Sequence, residues 1–583
     1  MLSIHYIYLN ALADTQIRDL LPAIGQLYHN ASLLWYNMTA STHIIDWKII
    51  FRGREEQMQK TTDTDGNELI RLLPRRKKGL LRIVFSRFFV ILLLIVIQIL
   101  VTLLFSAWLY TNFPAVYVGD RIFSIIMVFY LFSCDMDSAA KLTWLLIITV
   151  MPITGAVLLL YTRREFGSSF IKRRSAELTD QTRGMINSSE KALADPDIQR
   201  SGTDDLCRYL SRTGCYPLFS DTDAEYFPLG EKKFEALLEE LKKAEKFIFM
   251  EYFIIDEGYM WGRVLSILAD KVKQGVEVRV MYDGMCEITT LSGDYPKRME
   301  ELGIKCKAFA PILPVISTYY NYRDHRKILV IDGKVAFNGG INLADEYINR
   351  KERFGHWKDS AVMLKGAAVR SFTLMFLHMW NITEREPEWG YLDEPELPEN
   401  TEGYVMPYAD CPLDEYKVGE NIYMDILNRA TSYVHIMTPY LILDGELEAS
   451  LRFAAERGID VRVILPGIPD KKGAYALART HYRSLLKAGV KIYEYTPGFV
   501  HSKVFVSDGE KAVVGTINLD YRSLYHHFEC ATYLYKTRCI ADIEEDFIAT
   551  MKLCRQATPE TVKHQPLSYK IRGSLLKLIA PLM

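Results

Sequence analysis

At 583 residues the chain is long enough for three or four domains with sizeable cores. Its 70 lysines and arginines are balanced by 72 aspartates and glutamates, which excludes the global basic field that gathers nucleic acids. The nine cysteines form no C-x2-C pair, which argues against a zinc site; their odd number and wide spacing argue against a disulfide scaffold and favour a reducing compartment for the soluble part.

Residues 1–80 read as an N-terminal extension of mixed polarity, weakly amphipathic around Ile17 to Trp35. Met58 opens a charged stretch running into Arg75, Arg76, Lys77 and Lys78, and is a candidate physiological start. Residues 81–165 form a membrane region. Phe88 to Tyr110 is an apolar run of 23 residues, long enough to cross a bilayer, and Leu142 to Tyr161 is a second. Residues 115–133 between them read as a short or partial span. Basic clusters precede the first run and follow the last, so the positive-inside rule places both flanks in the cytoplasm and requires an even number of crossings.

Residues 166–225 are polar and read as a linker. A one-sided helix is expected over Glu231 to Lys246, then a buried strand from Phe247 to Ile255, a helix from Trp261 to Gln274 and a strand from Val276 to Tyr282. The order recurs as a strand from Tyr433 to Leu443, a helix from Leu447 to Arg457 and a strand from Ile459 to Leu465, and Gly489-Val-Lys-Ile echoes Gly303-Ile-Lys-Cys. This alternation predicts α/β layers with parallel pairing, duplicated as domains 226–400 and 401–583.

The strongest signal lies inside the duplication. His325-Arg-Lys327 is closed by Asp332, and His501-Ser-Lys503 is closed by Asp508; both read H-x-K-x4-D. Gly339 and Asn342 follow the first, Gly515 and Asn518 the second, every matched position offset by 176 residues. Each copy reads as a buried strand, on which histidine and lysine two apart share a face. Two copies face to face would gather two imidazoles and two ammonium groups around one phosphodiester. The lysines would offset its charge, one neutral histidine would attack phosphorus, and the other would protonate the leaving alcohol, with no metal or other cofactor required. Asn342 and Asn518 are placed to donate to phosphate oxygens, with Gly339-Gly340 and Gly515-Thr516 admitting close backbone approach. Asp332 and Asp508 belong to the catalytic pattern, yet each ends its strand at an Asp-Gly turn and reads as a holder of local structure. Arg323 and Arg522 read as exposed salt-bridge partners. The histidines at 356, 378, 435, 481, 526 and 527 lack partners at ligand spacing and read as structural.

The paired motif resembles the duplicated HKD motif of the phospholipase D superfamily. That resemblance implies two tandem phospholipase D-like α/β sandwich domains related by pseudo-twofold symmetry, here preceded by transmembrane helices. It also implies an orienting carboxylate for each histidine, a role that falls on Asp359 and Glu529, 34 and 28 residues past the histidines of their own repeats. The stretches Tyr226-Phe-Pro, Glu251-Tyr-Phe-Ile-Ile-Asp256, Asn321-Tyr-Arg-Asp-His325, Gly339-Gly-Ile-Asn-Leu-Ala-Asp-Glu-Tyr347, Tyr495-Thr-Pro-Gly-Phe499 and Gly515-Thr-Ile-Asn-Leu-Asp-Tyr-Arg-Ser523 are similar to the bacterial cardiolipin synthase family. Membership would imply condensation of two phosphatidylglycerols with loss of glycerol, through a phosphohistidine on His325, by a multi-pass cell-membrane protein with its catalytic domains on the cytoplasmic side. Its partners would be phosphatidylglycerol and other membrane phospholipids, with no nucleic acid. The alternative is a hydrolase or nuclease of the same superfamily that uses water as acceptor. Phe309 to Tyr320 and Leu575 to Met583 are apolar enough to dip into the bilayer interface.

Overall fold

The computed structural model describes residues 58–63, 66–72, 100, 104, 114–163, 169–311, 321–394 and 396–582. Residues 1–57, nearly all of the expected span at 88–110, and positions 312–320 of the apolar stretch lie outside the described residues.

Part of the expected extension is built into the main body of the fold. Strands β1 (Met58–Thr62) and β2 (Glu68–Leu72) form an antiparallel hairpin. It buries Leu69, Ile70 and Leu72, pairs Asp63 with Arg263 at 2.6 Å, and offers the Leu72 carbonyl to Arg298 at 3.1 Å.

The membrane region departs from the sequence expectation. Pro114–Ser133 is one helix of 20 residues, whereas the apolar run 142–161 is split into helices Ser138–Val150 and Pro152–Arg163. Pro152 explains the break, because its ring removes an N–H and clashes with the preceding turn. Asp137 starts the earlier helix by accepting from the backbone N–H groups of Ala139 and Ala140. The three helices share a small core of Met127, Leu131, Trp144, Ile148, Ala156 and Leu159. Among the described residues no helix is long and apolar enough to cross a membrane, and the run 142–161, expected as one span, is divided between helices of 13 and 12 residues. The stretch read as a linker is mostly helical: Ser169–Thr182 sends Ile171 and Leu178 into the main core.

Two sheets carry the duplication. The first repeat supplies β3 (Thr222–Phe227), β4 (Phe247–Tyr252), β5 (Glu277–Asp283), β6 (Lys305–Phe309), β7 (Arg323–Asp324), β8 (Lys327–Ile331), β9 (Val335–Gly339), β10 (His356–Lys358) and β11 (Ala361–Gly366). The second supplies β12 (Tyr404–Asp410), β13 (Tyr433–Met437), β14 (Asp460–Pro466), β15 (Lys491–Tyr495), β16 (Gly498–Val500), β17 (Val504–Ser507), β18 (Lys511–Gly515), β19 (His527–Tyr535) and β20 (Cys554–Gln556). The sheet orders are β3-β11-β9-β8-β4-β5-β6 and β12-β19-β18-β17-β13-β14-β15-β20. Along these two sheet orders the parallel pairs are β4-β5-β6 and β13-β14-β15. The motif strands β8 and β17 enter antiparallel and turn back through three-residue loops, Asp332-Gly333-Lys334 and Asp508-Gly509-Glu510, into β9 and β18. The turn that opens each loop needs positive φ at both central residues, and Asp332-Gly333 (54°, 68°) and Asp508-Gly509 (58°, 69°) supply it.

The repeats bury their motif-bearing sheets against each other. One core contains Val330, Ala336 and Val362 from the first and Val506, Val514 and Cys530 from the second. At its edge the sheets exchange short parallel pairings, β7 with β19 and β10 with β16.

Candidate active site

Those exchanged pairings deliver the motif histidines. The His325 backbone N–H donates to the Phe528 carbonyl at 2.9 Å, and that of His501 donates to the Lys358 carbonyl at 2.7 Å. Each histidine is thus fixed one residue from a carboxylate of the opposite repeat. His325 Nδ1 lies 2.9 and 3.0 Å from the two Glu529 oxygens, and His501 Nδ1 lies 2.7 Å from Asp359 Oδ2. The sequence paired each carboxylate with the histidine of its own repeat. The structure corrects this, because the strand edges that meet belong to different repeats.

The electrostatics assign the protons. Burial pushes the Asp359 carboxyl up, but the His501 ring and Lys503 outweigh it and hold the group below the usual carboxylate range. His325 and His527 do the same for Glu529 against the same burial penalty. Burial drives His325 well below an ordinary imidazole and His501 down to about 4, with Lys503 adding to the second shift. Ionised carboxylates facing neutral rings require Nδ1 to carry the hydrogen and donate it, which leaves the lone pair on Nε2.

Lys327 and Lys503 are 2% and 1% exposed. Each ammonium folds back to donate to the carbonyl of its own motif histidine. Burial lowers Lys327 to about 8 and Lys503 to about 7. Lys327 also lowers His501 and Lys503, so both motifs share one field. Phe253 covers His325, with ring centroids 4.8 Å apart; Trp357 lies 5.3 Å from His501.

Other expected residues sort differently. Asp332 accepts from the backbone N–H groups of Glu245, Lys246 and Phe247, each at 2.7 Å. Asp508 repeats this with Thr431, Ser432 and Tyr433 at 2.8 to 2.9 Å. Both aspartates are removed from the catalytic set; they tie the motif hairpin to the start of its neighbouring strand. Asn342 is partly committed: its Oδ1 accepts from Ile254 N at 3.0 Å and its Nδ2 donates to the Tyr347 hydroxyl at 2.7 Å. Asn518 is buried with Oδ1 lacking a partner. Gly340 admits Asp359, whose Oδ1 would stand 2.1 Å from an added Cβ. At the matching position Thr516 instead donates its hydroxyl to Glu529. Arg323 is buried and pairs with Asp283 at 3.2 Å, correcting its reading as an exposed partner.

Two features escaped the sequence. His527 is no remote structural histidine: its ring centroid is 5.2 Å from that of His325 and its Nδ1 is 3.5 Å from Glu529 Oε1. Neither of its ring nitrogens makes a hydrogen bond. Its place two residues before Glu529, matching Trp357 before Asp359, was the available clue. The second feature is the buried pair of Arg326 with Glu251 at 2.9 Å behind His325; burial raises the Glu251 carboxyl despite Arg326. Among the described residues, His325, His527 and Glu529 form one of two groupings whose ligand-type atoms lie within 4.8 Å of one another, the other being Glu420, Asp444 and Glu446. In the first, Glu529 already accepts from His325 and Thr516.

Paired sheets with exchanged histidine–carboxylate couples and two buried lysines define a duplicated phospholipase D-like enzyme. Comparison with known proteins specifies the group. The family model for the cardiolipin synthase PLD-like domain matches residues 237–380 and 423–551. A cardiolipin synthase of Geobacillus sp. (strain WCH70) is 33% identical over 470 residues, 79% of this chain and 92% of its own length. An uncharacterized protein of Streptococcus mutans is 57% identical over 461 residues, 78% of this chain and 99% of its own length. Among solved structures, phosphatidylserine synthase from Haemophilus influenzae Rd KW20 aligns with a TM-score of 0.48 at 14% identity, over 62% of this chain and 93% of its own. The chain belongs to the cardiolipin synthase family of phosphatidyltransferases.

Proposed function

We propose that the enzyme transfers a phosphatidyl group from one phosphatidylglycerol to another and releases glycerol. The observation that carries the two-step route is the pair of neutral histidines, each with Nδ1 tied to an ionised carboxylate and Nε2 left with its lone pair. His325 Nε2 attacks phosphorus, and the P–O bond to the departing glycerol breaks as that oxygen takes a proton from His501, protonated beside the bound phosphodiester. The neutral His501 then takes the proton of the second phosphatidylglycerol's hydroxyl. Its oxygen attacks phosphorus, the P–N bond breaks, and His325 is restored. Lys327 and Lys503 offset the charge on the phosphoryl oxygens.

A cell-membrane location with the catalytic domains on the cytoplasmic side belongs to the same reading. The apolar run from Phe88 to Tyr110 and the basic residues flanking the membrane region support it. The test uses purified full-length protein in phosphatidylglycerol vesicles, with lipid products separated by chromatography. A diphosphatidyl product with one glycerol released per turnover is expected. Phosphatidic acid without that product would replace transfer with hydrolysis. With a donor carrying a good leaving group, His501→Ala is expected to retain an acid-labile phosphoryl adduct and His325→Ala to form none; the reverse pattern would exchange the two roles.

A further inference from the structure

The last helix, Leu567–Ile579, has two faces of opposite purpose. Its inward face is Tyr569, Gly573, Leu576 and Ala580, following a spacing of three and four residues. Gly573 lets it approach helix Lys472–Ala488 so closely that an added Cβ would lie 2.5 Å from the Ala476 carbonyl. Leu576 and Ala580 close over Ile442, Leu477 and Tyr521. Tyr521 opens the short helix Tyr521–Tyr525, which lies in the chain between Asn518 and His527 of the active site.

The opposite face holds Leu567, Ile571, Leu575 and Leu578, at 70%, 53%, 60% and 52% exposure. Four large aliphatic side chains aligned on one bare face are far more than scattered surface apolarity accounts for. Around the helix axis Lys570 and Lys577 flank this stripe on one side and Arg572 on the other, all three exposed. An apolar stripe bordered by long basic side chains matches a helix lying in the plane of an anionic lipid surface, its aliphatic groups among the acyl chains and its cations at the phosphates. The stripe also continues into a second bare surface. Thr143 Oγ1 donates to the Leu578 carbonyl at 2.6 Å, tying on helix Ser138–Val150, whose Leu142, Leu146 and Val150 are exposed as well.

We propose that Leu567–Ile579 is a lipid-docking helix that lies in the headgroup layer of an anionic bilayer and holds the rim of the second repeat's half-site against it. The proposal reads depth in the bilayer, not turnover, so it stands or falls apart from the transferase reading. The test places the photo-crosslinker benzoylphenylalanine at Leu575, and separately at exposed Glu456 on helix Gly445–Glu456, in the full chain held in nanodiscs containing phosphatidylglycerol. Both sites are exposed, so folding is expected to survive, and thermal melting checks it. Lipid adducts at 575 at least roughly fivefold above those at 456, reduced by Lys570→Glu with Lys577→Glu, are expected for an electrostatically assisted interfacial helix. Equal lipid labelling at the two positions, adducts to a second protein chain at 575, or no response to the charge reversal would overturn the proposal.

Discussion

A neutral imidazole has one lone pair to offer, and in both motif histidines the carboxylate at Nδ1 assigns that pair to Nε2. Replacing Glu529 with glutamine keeps the shape but removes the charge that fixes the tautomer of His325. Glu529→Gln is expected to lower kcat by roughly 10²- to 10⁴-fold with a small change in KM, measured as initial rates of lipid product formation. The lysines set a second expectation. Lys503 and Lys327, lowered by burial to about 7 and about 8, lose charge as pH rises through those values, and the phosphate loses its counter-charges with them. Because kcat/KM reports the free enzyme, it is expected to fall above pH 7 to 8, well below the range of ordinary lysines. On the acid side it is expected to hold until the nucleophile His325 takes up a proton and loses its lone pair, which burial moves well below the ordinary imidazole range. A pH–rate profile checks both limbs.

At the scale of single elements, the two motif hairpins owe their geometry to residues that do no chemistry. Asp332 gathers three backbone N–H groups at the start of β4, and Asp508 gathers three at the start of β13. Asp332→Ala is expected to destabilise the fold by about 1–3 kcal/mol while the folded fraction keeps its kcat within roughly twofold, seen by comparing thermal melting with active-site-normalised rates. A catalytic role would instead abolish turnover at unchanged stability. Gly340→Ala tests close packing at the end of β9: its Cβ would meet Asp359 Oδ1 at 2.1 Å, so the carboxylate must move. That change is expected to cost about 1–3 kcal/mol and to depress activity as well, because the displaced group orients His501. The Asp-Gly turns were legible in the sequence because a hairpin turn depends on four adjacent residues. The antiparallel entry of β8 and β17 was not, since strand–helix–strand order fixes only the pairing of the strands it connects.

For the whole molecule, neither repeat contains a complete couple. His325 takes its carboxylate from the second repeat and His501 from the first, and one core spans both sheets. Residues 1–400 and 401–583 expressed as separate chains are therefore expected to show no phosphatidyl transfer alone, and measurable transfer in membranes only when co-expressed. Activity from either half by itself would contradict the exchanged geometry. The orienting role of Asp359 and Glu529 followed from the superfamily resemblance, whereas what the sequence determined unaided was the pair of H-x-K-x4-D copies at a constant offset and the α/β repeat around them. Those properties are carried by residue type and short-range alternation, which a linear pattern preserves. The tertiary structure alone decided which carboxylate serves which histidine, that His527 stands beside His325, and that the run 142–161 folds as two helices packed on a third. Partnership of that kind depends on which strand edges and helix faces meet across more than a hundred residues, and spacing along the chain carries no record of it.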